Sequence, residues 1–361
     1  MSVTIRSGNI DAFFRVPFEI YRSLPYVSPM KSDLKRFLDP RANPLFQSPD
    51  DLGVFTCHRD GRPLGRITAH VHRASNIRHG TNAAHFGYFD CADDPEVALA
   101  LLNTAQDWAR ARGFDEIKGN FNLTAMQMTG VCTGGFDAPV YSDCMWSPPW
   151  LESHLAASGF ERLFPMTTHE VALPAPQTPP RPCPDGLHHA PISRRTLPDR
   201  LEDARQILNA SFDRNPMFVP VSEAEYMFQA KDLKLIFDPR LSVVLHDGQS
   251  PAAALLCIPD LNPMLRAMGS RLSVTAPWHF LKHRLTNRRA LLIYYGVRPD
   301  LHRRGVTPYM LDHVMRQAQG AGYDRIGVTW IAEGNPASLR QMEKIGARPL
   351  QTLHLFRKAL R

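Results

Sequence analysis

Long apolar runs are missing from this 361-residue sequence. The longest, residues 252–258, is strand-sized and falls far short of the roughly 20 residues that a membrane-spanning helix needs. The N-terminus carries Arg6, Asp11 and Arg15 before any apolar stretch, so the layout of a secretory signal is also missing. These absences exclude an integral membrane protein and predict a cytoplasmic one.

Paired cysteines are missing as well. The six cysteines are spread over 200 residues without a CxxC pair, which argues against a disulfide framework and against a cysteine zinc site. His70 and His72 alternate on a predicted strand, but no third residue stands at metal-ligand spacing, so we interpret both as solvated. The sequence therefore predicts free thiols and no metal.

Acidic residues are the minority charge: 42 Lys and Arg against 35 Asp and Glu give a net charge of +7. A basic surface favours anionic partners such as phosphates, nucleic acid or membrane head groups. The basic cluster at residues 282–289 lacks interleaved aromatic residues, so nucleic acid is not expected. An acidic protein surface, a phosphate-bearing ligand and anionic lipid stay open as its partners beside a plain solvated surface.

Residues 173–191 hold seven of the 31 prolines and cannot form a helix or a central strand. We interpret this segment as a linker between a first domain, 1–172, and a second domain, 192–361. Both halves show an aromatic strand, a helix, a second strand and a late helix. Five identical or similar positions, from Gly87 to Ile117 and from Gly296 to Ile326, match at a constant offset of 209, which indicates an internal repeat.

The second half contains YYGVRPDLHRRGVTPYML, a strand that runs through a basic glycine-containing turn into a helix. Such a turn directs backbone N–H groups and the positive end of the helix at an anion. The motif resembles the pyrophosphate-binding (Q/R)xxGx(G/A) of the GNAT superfamily of acyl-CoA N-acyltransferases, with His302 and Thr307 as departures. The segment TWIAEGNPASLRQMEKIGARPL resembles the closing strand and last helix of that superfamily.

The 209 offset aligns Gly305 with Glu96, Arg304 with Pro95 and Arg303 with Asp94. The first half thus places carboxylates where a phosphate would sit, and these would repel it. The resemblance implies an α/β fold with a mixed sheet and tandem GNAT-like domains. The first domain is expected to be a degenerate copy on the acceptor side, and the second is expected to bind the donor.

Further segments resemble one group of long bacterial GNAT-like proteins: LDPRANPLF, DGRPLGRITA, IPDLNPMLRAMGSRL and TWIAEGN. Some members of the group are similar to bacterial ceramide synthases, which acylate a sphingoid base. This chain has GNFNLTAMQMTG where the group usually resembles GPxNxS followed by an acidic segment. Asn120 replaces the proline, and Met126 and Met128 stand where polar residues are expected, which predicts a different acceptor.

The resemblance also implies candidate site residues. The backbone N–H of Gly296 or Val297 would serve the oxyanion. The usual acid, a tyrosine four residues before the closing glycine, falls on Met342, so Tyr294 or Tyr295 would replace it. Glu333 and Asp260 are alternative bases. The candidate donor-binding residues are Gly296, Val297, Arg298, Arg303, Arg304, Gly305, Val306, Thr307 and Asn335.

The function predicted is N-acylation of a primary amine, with acyl-CoA or an acyl-carrier thioester as co-substrate. The alternatives left open are a non-catalytic acyl-CoA-binding protein, sphingoid-base acylation and transfer from aminoacyl-tRNA. Predicted partners are a small-molecule or lipid amine, an acyl-carrier protein and the membrane periphery. Fold alone does not decide among these functions.

Overall fold

The computed structural model describes residues 2–213, 215 and 217–360, which form two compact units. Unit 1 comprises the described residues up to 167, with 262–281 and those from 350 onward; unit 2 comprises the described parts of 168–261 and 282–349. The described strands are β1 (Thr4–Ser7), β2 (Leu52–Arg59), β3 (Arg62–His70), β4 (Ala83–Cys91), β5 (Glu116–Gly119), β6 (Val131–Gly134), β7 (Glu161–Ala172), β8 (Leu187–His189), β9 (Val243–Asp247), β10 (Ser250–Pro259), β11 (Arg289–Val297), β12 (Arg325–Ala332) and β13 (Arg348–Ala359). The described α-helices are α1 (Ile10–Ile20), α2 (Lys31–Phe37), α3 (Arg73–His79), α4 (Pro95–Arg110), α5 (Pro149–Ala157), α6 (Leu197–Phe212), α7 (Glu223–Gln229), α8 (Leu233–Ile236), α9 (Asn262–Ala267), α10 (Ala276–Thr286), α11 (Val306–Gly320) and α12 (Pro336–Lys344).

The sheet of unit 1 has the strand order β1-β2-β3-β4-β5-β13, in which only β4 and β5 run parallel. Every residue of β4 is buried, as expected for a central strand covered on both faces. The apolar stripe of α4, including Leu101 and Leu102, packs in a core with Ile67 and Phe86. A smaller core around Phe13 of α1 contains Tyr88.

Unit 1 includes two segments from the second half of the sequence. Residues 356–359 of β13 pair antiparallel with β5, and Phe356 enters the unit 1 core. At the start of α9, Asn262 donates its backbone N–H to Ser142 Oγ at 3.1 Å, and Ser270 Oγ donates to Ser28 O at 2.6 Å. The compact units therefore differ from the predicted domains 1–172 and 192–361. The sequence could not predict this difference, because nothing in it marks these long-range pairings. The separate roles given to those domains stay a prediction.

The sheet of unit 2 has the order β12-β11-β10-β9-β8, in which only β11 and β12 run parallel. Its core includes Leu292 of β11, Met310 and Val314 of α11, and Val328 of β12. The chain order β9-β10-β11-α11-β12 matches β2-β3-β4-α4-β5 of unit 1, with the same sense of pairing at each step. The internal repeat is thus present in the fold.

Residues 173–186 contain no helix or strand, and β8 lies at a sheet edge, as the proline content predicts. All six cysteines are free. Among the described residues we find no helix with the length and hydrophobicity needed to cross a bilayer. The same residues hold no group of three or more His, Cys, Asp or Glu side chains placed for a metal ion.

The interpretation of His70 and His72 as solvated is wrong. Both are buried in unit 1, and the rings of His70 and His85 stack with centroids 5.5 Å apart. His70 Nε2 lies 2.7 Å from Leu123 O, so the ring donates to that carbonyl. Burial lowers the pKa of His70 to about 3 and holds that of His85 well below its usual value.

Unit 1 is expected to lose stability in acid. Between about pH 6.5 and pH 3 the unfolded chain binds a proton that buried His70 does not, so the free energy of unfolding falls as the pH is lowered. The loss for this one group should be about 2 to 3 kcal/mol between pH 6.5 and 4.5. Urea unfolding at several pH values measures it. His70→Gln, which keeps a donor for Leu123 O, should flatten the profile, and an unchanged profile would contradict the assignment.

Candidate functional site

Strands β11 and β12 separate partway along their length. Their parallel pairing runs from Arg289 with Arg325 to Leu292 with Val328 and then stops. At the same point β11 contains an extra residue: Leu292 pairs with Cys257 and Tyr294 with Leu256, which leaves Ile293 as a bulge. The hydroxyl of Thr329 donates to Ile293 O at 2.6 Å and fixes the point of separation. Beyond this point β11 continues to Val297 and β12 to Ala332 without pairing with each other, and we call the gap between them the slot.

The end of β11 beyond the bulge has no strand partner on the β12 side. Arg298 donates its N–H to Ala252 O of β10 at 2.9 Å. Since N–H groups alternate in direction along a strand, the N–H of Gly296 also faces β10 and the N–H of Val297 faces away from it, toward the slot. The Val297 carbonyl accepts from Ser211 Oγ and His302 Nε2, each at 3.1 Å. These bonds hold the Val297 peptide in place.

The packing of α6 explains why position 296 is a glycine. A Cβ at this position would lie 2.5 Å from Ser211 Oγ of α6. Helix α6 packs on β10 and β11, so any side chain here would push the helix off the strand. The glycine therefore allows the close approach that positions Ser211 on Val297 O.

The turn before α11 has the geometry of an anion site. Gly305 is the N-cap residue with φ +78°, and Arg303 also has a positive φ of 66°. No side chain among the described residues caps α11. The first-turn N–H groups of Val306 and Thr307 are therefore open to a ligand, whereas Pro308 has no N–H to offer. A negative group would be stabilised here by these donors and by the helix dipole.

The equivalent helix start in unit 1 is already satisfied by its own side chains. Asp94 caps α4 and accepts from the backbone N–H groups of Glu96 and Val97 at 3.0 and 3.3 Å. Arg59 pairs with the carboxylates of Asp94 and Glu96. An incoming phosphate would find these donors occupied and two carboxylates in its way.

The slot of unit 1 is also filled, by the segment that follows β5. Parallel pairing of β4 with β5 ends at His85 and Lys118. Beyond it, the side chains of Asn122 and Asn120 accept from the N–H groups of Tyr88 and Phe89 at 2.7 and 3.1 Å. These asparagines therefore occupy the β4 donors that face the gap. The sequence showed Asn120 only as a replacement of the proline that is usual in the resembling group, and it did not predict this hydrogen bond.

Donor binding should be insensitive to changes at the start of α4. Glu96→Gln removes one of the repelling carboxylates but leaves the Asp94 cap intact, so CoA affinity should stay within about twofold of wild type. Calorimetric titration with CoA measures it. A marked change in affinity, in either direction, would indicate that unit 1 holds the phosphates.

The two tyrosines of β11 have different surroundings. Tyr294 is buried, and its hydroxyl lies 2.7 Å from that of Tyr226 on α7. Burial raises the pKa of Tyr294 well above its usual value and that of Tyr226 to about 12. Tyr295 is partly buried against the unit 2 core, and burial raises its pKa. Its hydroxyl oxygen is closed to solvent and has no hydrogen-bond partner among the described residues. Nothing in the sequence pointed to Tyr226, which lies in a segment without a motif.

The two candidate bases also differ. Glu333 follows directly after β12 and is exposed. Asp260 is fully buried, with its Oδ2 3.0 Å from Arg289 Nε. A carboxylate held by an arginine and closed to solvent is poorly placed to take a proton from an amine. The geometry favours Glu333 over Asp260.

Several residues that were predicted to bind the acyl donor make other contacts in this structure. Arg298 pairs with Asp300 and Asp247, and these carboxylates hold its pKa above the usual value. Asn335 caps α12 by accepting from Ser338 N at 3.1 Å. Arg303 and Arg304 are exposed beside the turn. These roles stay predictions.

The second half of the chain matches the model of a known protein family. Residues 202–347 match the model of the acetyltransferase (GNAT) family. The matched residues lie in the second half of the chain, which is therefore similar to GNAT-family domains. The matched range contains the bulged β11, the Gly305 turn and α11, and it confirms the resemblance drawn from the turn. The match supports an acyltransferase, the coarse form of the predicted function.

Two relatives are similar over nearly the whole chain. One is named "Bacterial ceramide synthase", from Caulobacter vibrioides, at 27% identity over 98% of this chain and 95% of that protein. The other is named "Protein YghO", from Escherichia coli, at 24% identity over 99% of this chain and 94% of that protein. The similarity thus includes both halves of the GNAT-like chain.

Solved structures show the same fold. A tandem GNAT protein from the clavulanic acid biosynthesis pathway superposes with a TM-score of 0.61 at 11% identity, covering 100% of this chain and 99% of that one. A GCN5-related N-acetyltransferase from Sphaerobacter thermophilus has a TM-score of 0.56 at 12% identity, covering 99% and 96%. At such identities the likeness shows the fold alone. The predicted mixed α/β fold with tandem GNAT-like domains is confirmed.

Proposed function

We propose that this protein transfers an acyl group from a CoA or acyl-carrier thioester to a primary amine. The observation that carries the proposal is the combination, within unit 2, of the slot between β11 and β12 and the uncapped Gly305 turn. The slot offers a backbone donor to a thioester, and the turn offers backbone donors to the phosphates that the carrier group bears. Unit 1 has the same strand order but both features are filled.

The donor would bind with its diphosphate on the N–H groups of Val306 and Thr307. Arg303 and Arg304 flank this turn and add positive charge without the rigid geometry of the backbone donors. The acyl thioester would extend along β11, where the Val297 N–H faces the slot. Of the two N–H groups considered, Val297 is the better donor because Gly296 faces β10.

The reaction has four steps: deprotonation of the amine, attack on the thioester, breakdown of the intermediate and protonation of the thiolate. The amine loses a proton to Glu333, directly or through water, and its nitrogen attacks the thioester carbon. The negative oxygen of the tetrahedral intermediate accepts a hydrogen bond from Val297 N–H. The carbon–sulfur bond then breaks, the carbonyl re-forms, the nitrogen gives its second surplus proton to solvent, and the thiolate leaves and takes a proton. Tyr294 is our candidate for that proton, since its contact with Tyr226 allows replacement from a second hydroxyl.

A sphingoid base is the second candidate acceptor. The similarity to the protein named "Bacterial ceramide synthase" over 98% of this chain favours it. The segment after β5 argues for another acceptor, because Met126 and Met128 stand where polar residues are usual in the resembling group. An assay with a long-chain sphingoid base beside short primary amines distinguishes the two candidates.

Donor screening tests the proposal before any acceptor is known. Native mass spectrometry and thermal shift with acetyl-, octanoyl- and palmitoyl-CoA and with charged carrier protein should show one donor bound per chain. Release of free thiol should then require an amine. A folded protein that binds none of these thioesters would contradict the proposal. Binding without turnover over a broad panel of amines would replace it with a non-catalytic acyl-CoA-binding protein.

A further inference from the structure

The segment around α10 exposes an unusual amount of apolar surface. Among the described residues nine large hydrophobic side chains are exposed, and five of them lie between positions 272 and 285. The exposed fractions are 73% for Leu272, 98% for Val274, 66% for Trp278, 49% for Leu281 and 76% for Leu285. Such a concentration in one short segment marks an interaction surface.

The three helical members of this set form one stripe. Trp278, Leu281 and Leu285 stand at i, i+3 and i+7 of the continuous helix α10, so at 100° per residue they share one face. Lys282 and Arg284 lie on opposite edges of the stripe, and both are exposed. The helix therefore presents an apolar stripe with a cationic side chain on each border.

The other side of α10 is attached to the protein. His283 is buried, and its Nε2 lies 2.7 Å from Asp260 O, so the ring donates to that carbonyl. Phe280 lies on the same side and is partly covered. Because this side is fixed, the apolar stripe is held outward and does not turn into the core.

The charged residues of the sequence segment that contains α10 are all basic. From residue 261 to residue 299 the sequence contains seven Lys and Arg and no Asp or Glu. Neither Lys282 nor Arg284 has an ion-pair partner in the part of the chain that the structure describes. A surface that combines exposed Trp and Leu with unpaired cations complements a layer of anionic head groups over acyl chains.

We propose that α10 is an in-plane membrane anchor that binds the surface of bilayers containing anionic lipid. Trp278, Leu281 and Leu285 enter the boundary between head groups and acyl chains, and Lys282 and Arg284 contact lipid phosphates. Arg and Lys side chains at the borders of such a stripe can extend toward the head groups while their methylene stems stay apolar. The proposal does not rest on the acyl-transfer chemistry, since vesicle binding needs neither donor nor acceptor.

Vesicle co-sedimentation with the full chain tests the anchor. Vesicles of phosphatidylcholine with about 30% phosphatidylglycerol should bind the protein, pure phosphatidylcholine should bind it much less, and high salt should weaken binding. The double variant Lys282→Glu, Arg284→Glu should bind at least roughly tenfold more weakly, since each cation near a charged bilayer contributes about 1 kcal/mol. Leu281→Ser, Leu285→Ser should also lose binding. Leu99→Ser, at an exposed leucine of α4, is the matched control and should bind like wild type.

Three results would overturn the proposal. The first is a folded wild type that does not bind anionic vesicles. The second is binding that the Leu281→Ser, Leu285→Ser variant retains, with folding verified by circular dichroism. The third is a wild-type dimer, or a complex with an acidic carrier protein, that depends on the stripe while vesicles are ignored, because the stripe would then cover a protein partner.

Discussion

Gly305→Asp should abolish CoA binding while leaving the protein folded. A Cβ at Gly305 meets no atom within 4 Å, so the added side chain has space. Its carboxylate would lie beside the N–H groups of Val306 and Thr307, where the diphosphate is proposed to bind. Repulsion between like charges about 5 Å apart near a protein surface predicts a loss of roughly 100-fold or more in affinity.

Gly305→Asn is the matched control for this substitution. Gly305 has φ +78°, a conformation that Asn and Asp tolerate better than other side chains. The Asn variant carries the same backbone strain and nearly the same volume without the charge. Calorimetric titration with CoA should show near-normal binding for Asn and none for Asp. Equal loss in both variants would assign the effect to strain, and unchanged affinity in both would remove the donor from this turn.

Glu333→Gln should lower kcat/KM by roughly 100-fold or more, the usual scale for a general base. The residue follows β12 at the open end of the slot and is exposed, so an amine can reach it. CoA affinity should be nearly unchanged, because the phosphates are proposed to lie at Gly305. Steady-state kinetics of thiol release, combined with donor titration, separates the two quantities.

The pH dependence of the Glu333→Gln defect is a second readout. At about pH 9.5 a larger share of a primary amine is neutral and needs no base, so the defect should shrink relative to pH 7. Glu343→Gln, an exposed glutamate on α12, removes the same charge away from the slot and should behave like wild type. Full activity of Glu333→Gln at pH 7, or an equal defect at both pH values, would move the proton transfer to solvent or to Asp260.

Apolar spacing and turn residues predicted the helices, strands and turns that depend on neighbouring positions in the sequence. The apolar spacing of α4 and α11, the strand before each, and the glycine turn at Gly305 all stand where the sequence indicates them. The 209 offset found the repeat because the two helices keep the same distance to the following strands. Met342, found where the family's usual acid would stand, is a buried core residue of unit 2.

Long-range features escaped the sequence for a physical reason. The pairing of β13 with β5 joins residues separated by about 240 positions, and neither strand carries a mark of its partner. The contact of Tyr226 with Tyr294 depends on where α7 packs, which periodicity does not specify. His70 and His72 flank an apolar residue as in a half-exposed strand, yet the loop that carries Leu123 packs on His70, and His72 is buried as the N-cap residue of α3.

A crystal structure of the full chain with CoA tests the central claim most directly. The account predicts one CoA per chain, with diphosphate oxygens within hydrogen-bond distance of the N–H groups of Val306 and Thr307 and the pantetheine arm leading to Val297. The start of α4, residues 94–97, should hold no phosphate. CoA phosphates at residues 94–97, or a pantetheine arm that leaves the slot between β11 and β12 empty, would contradict it.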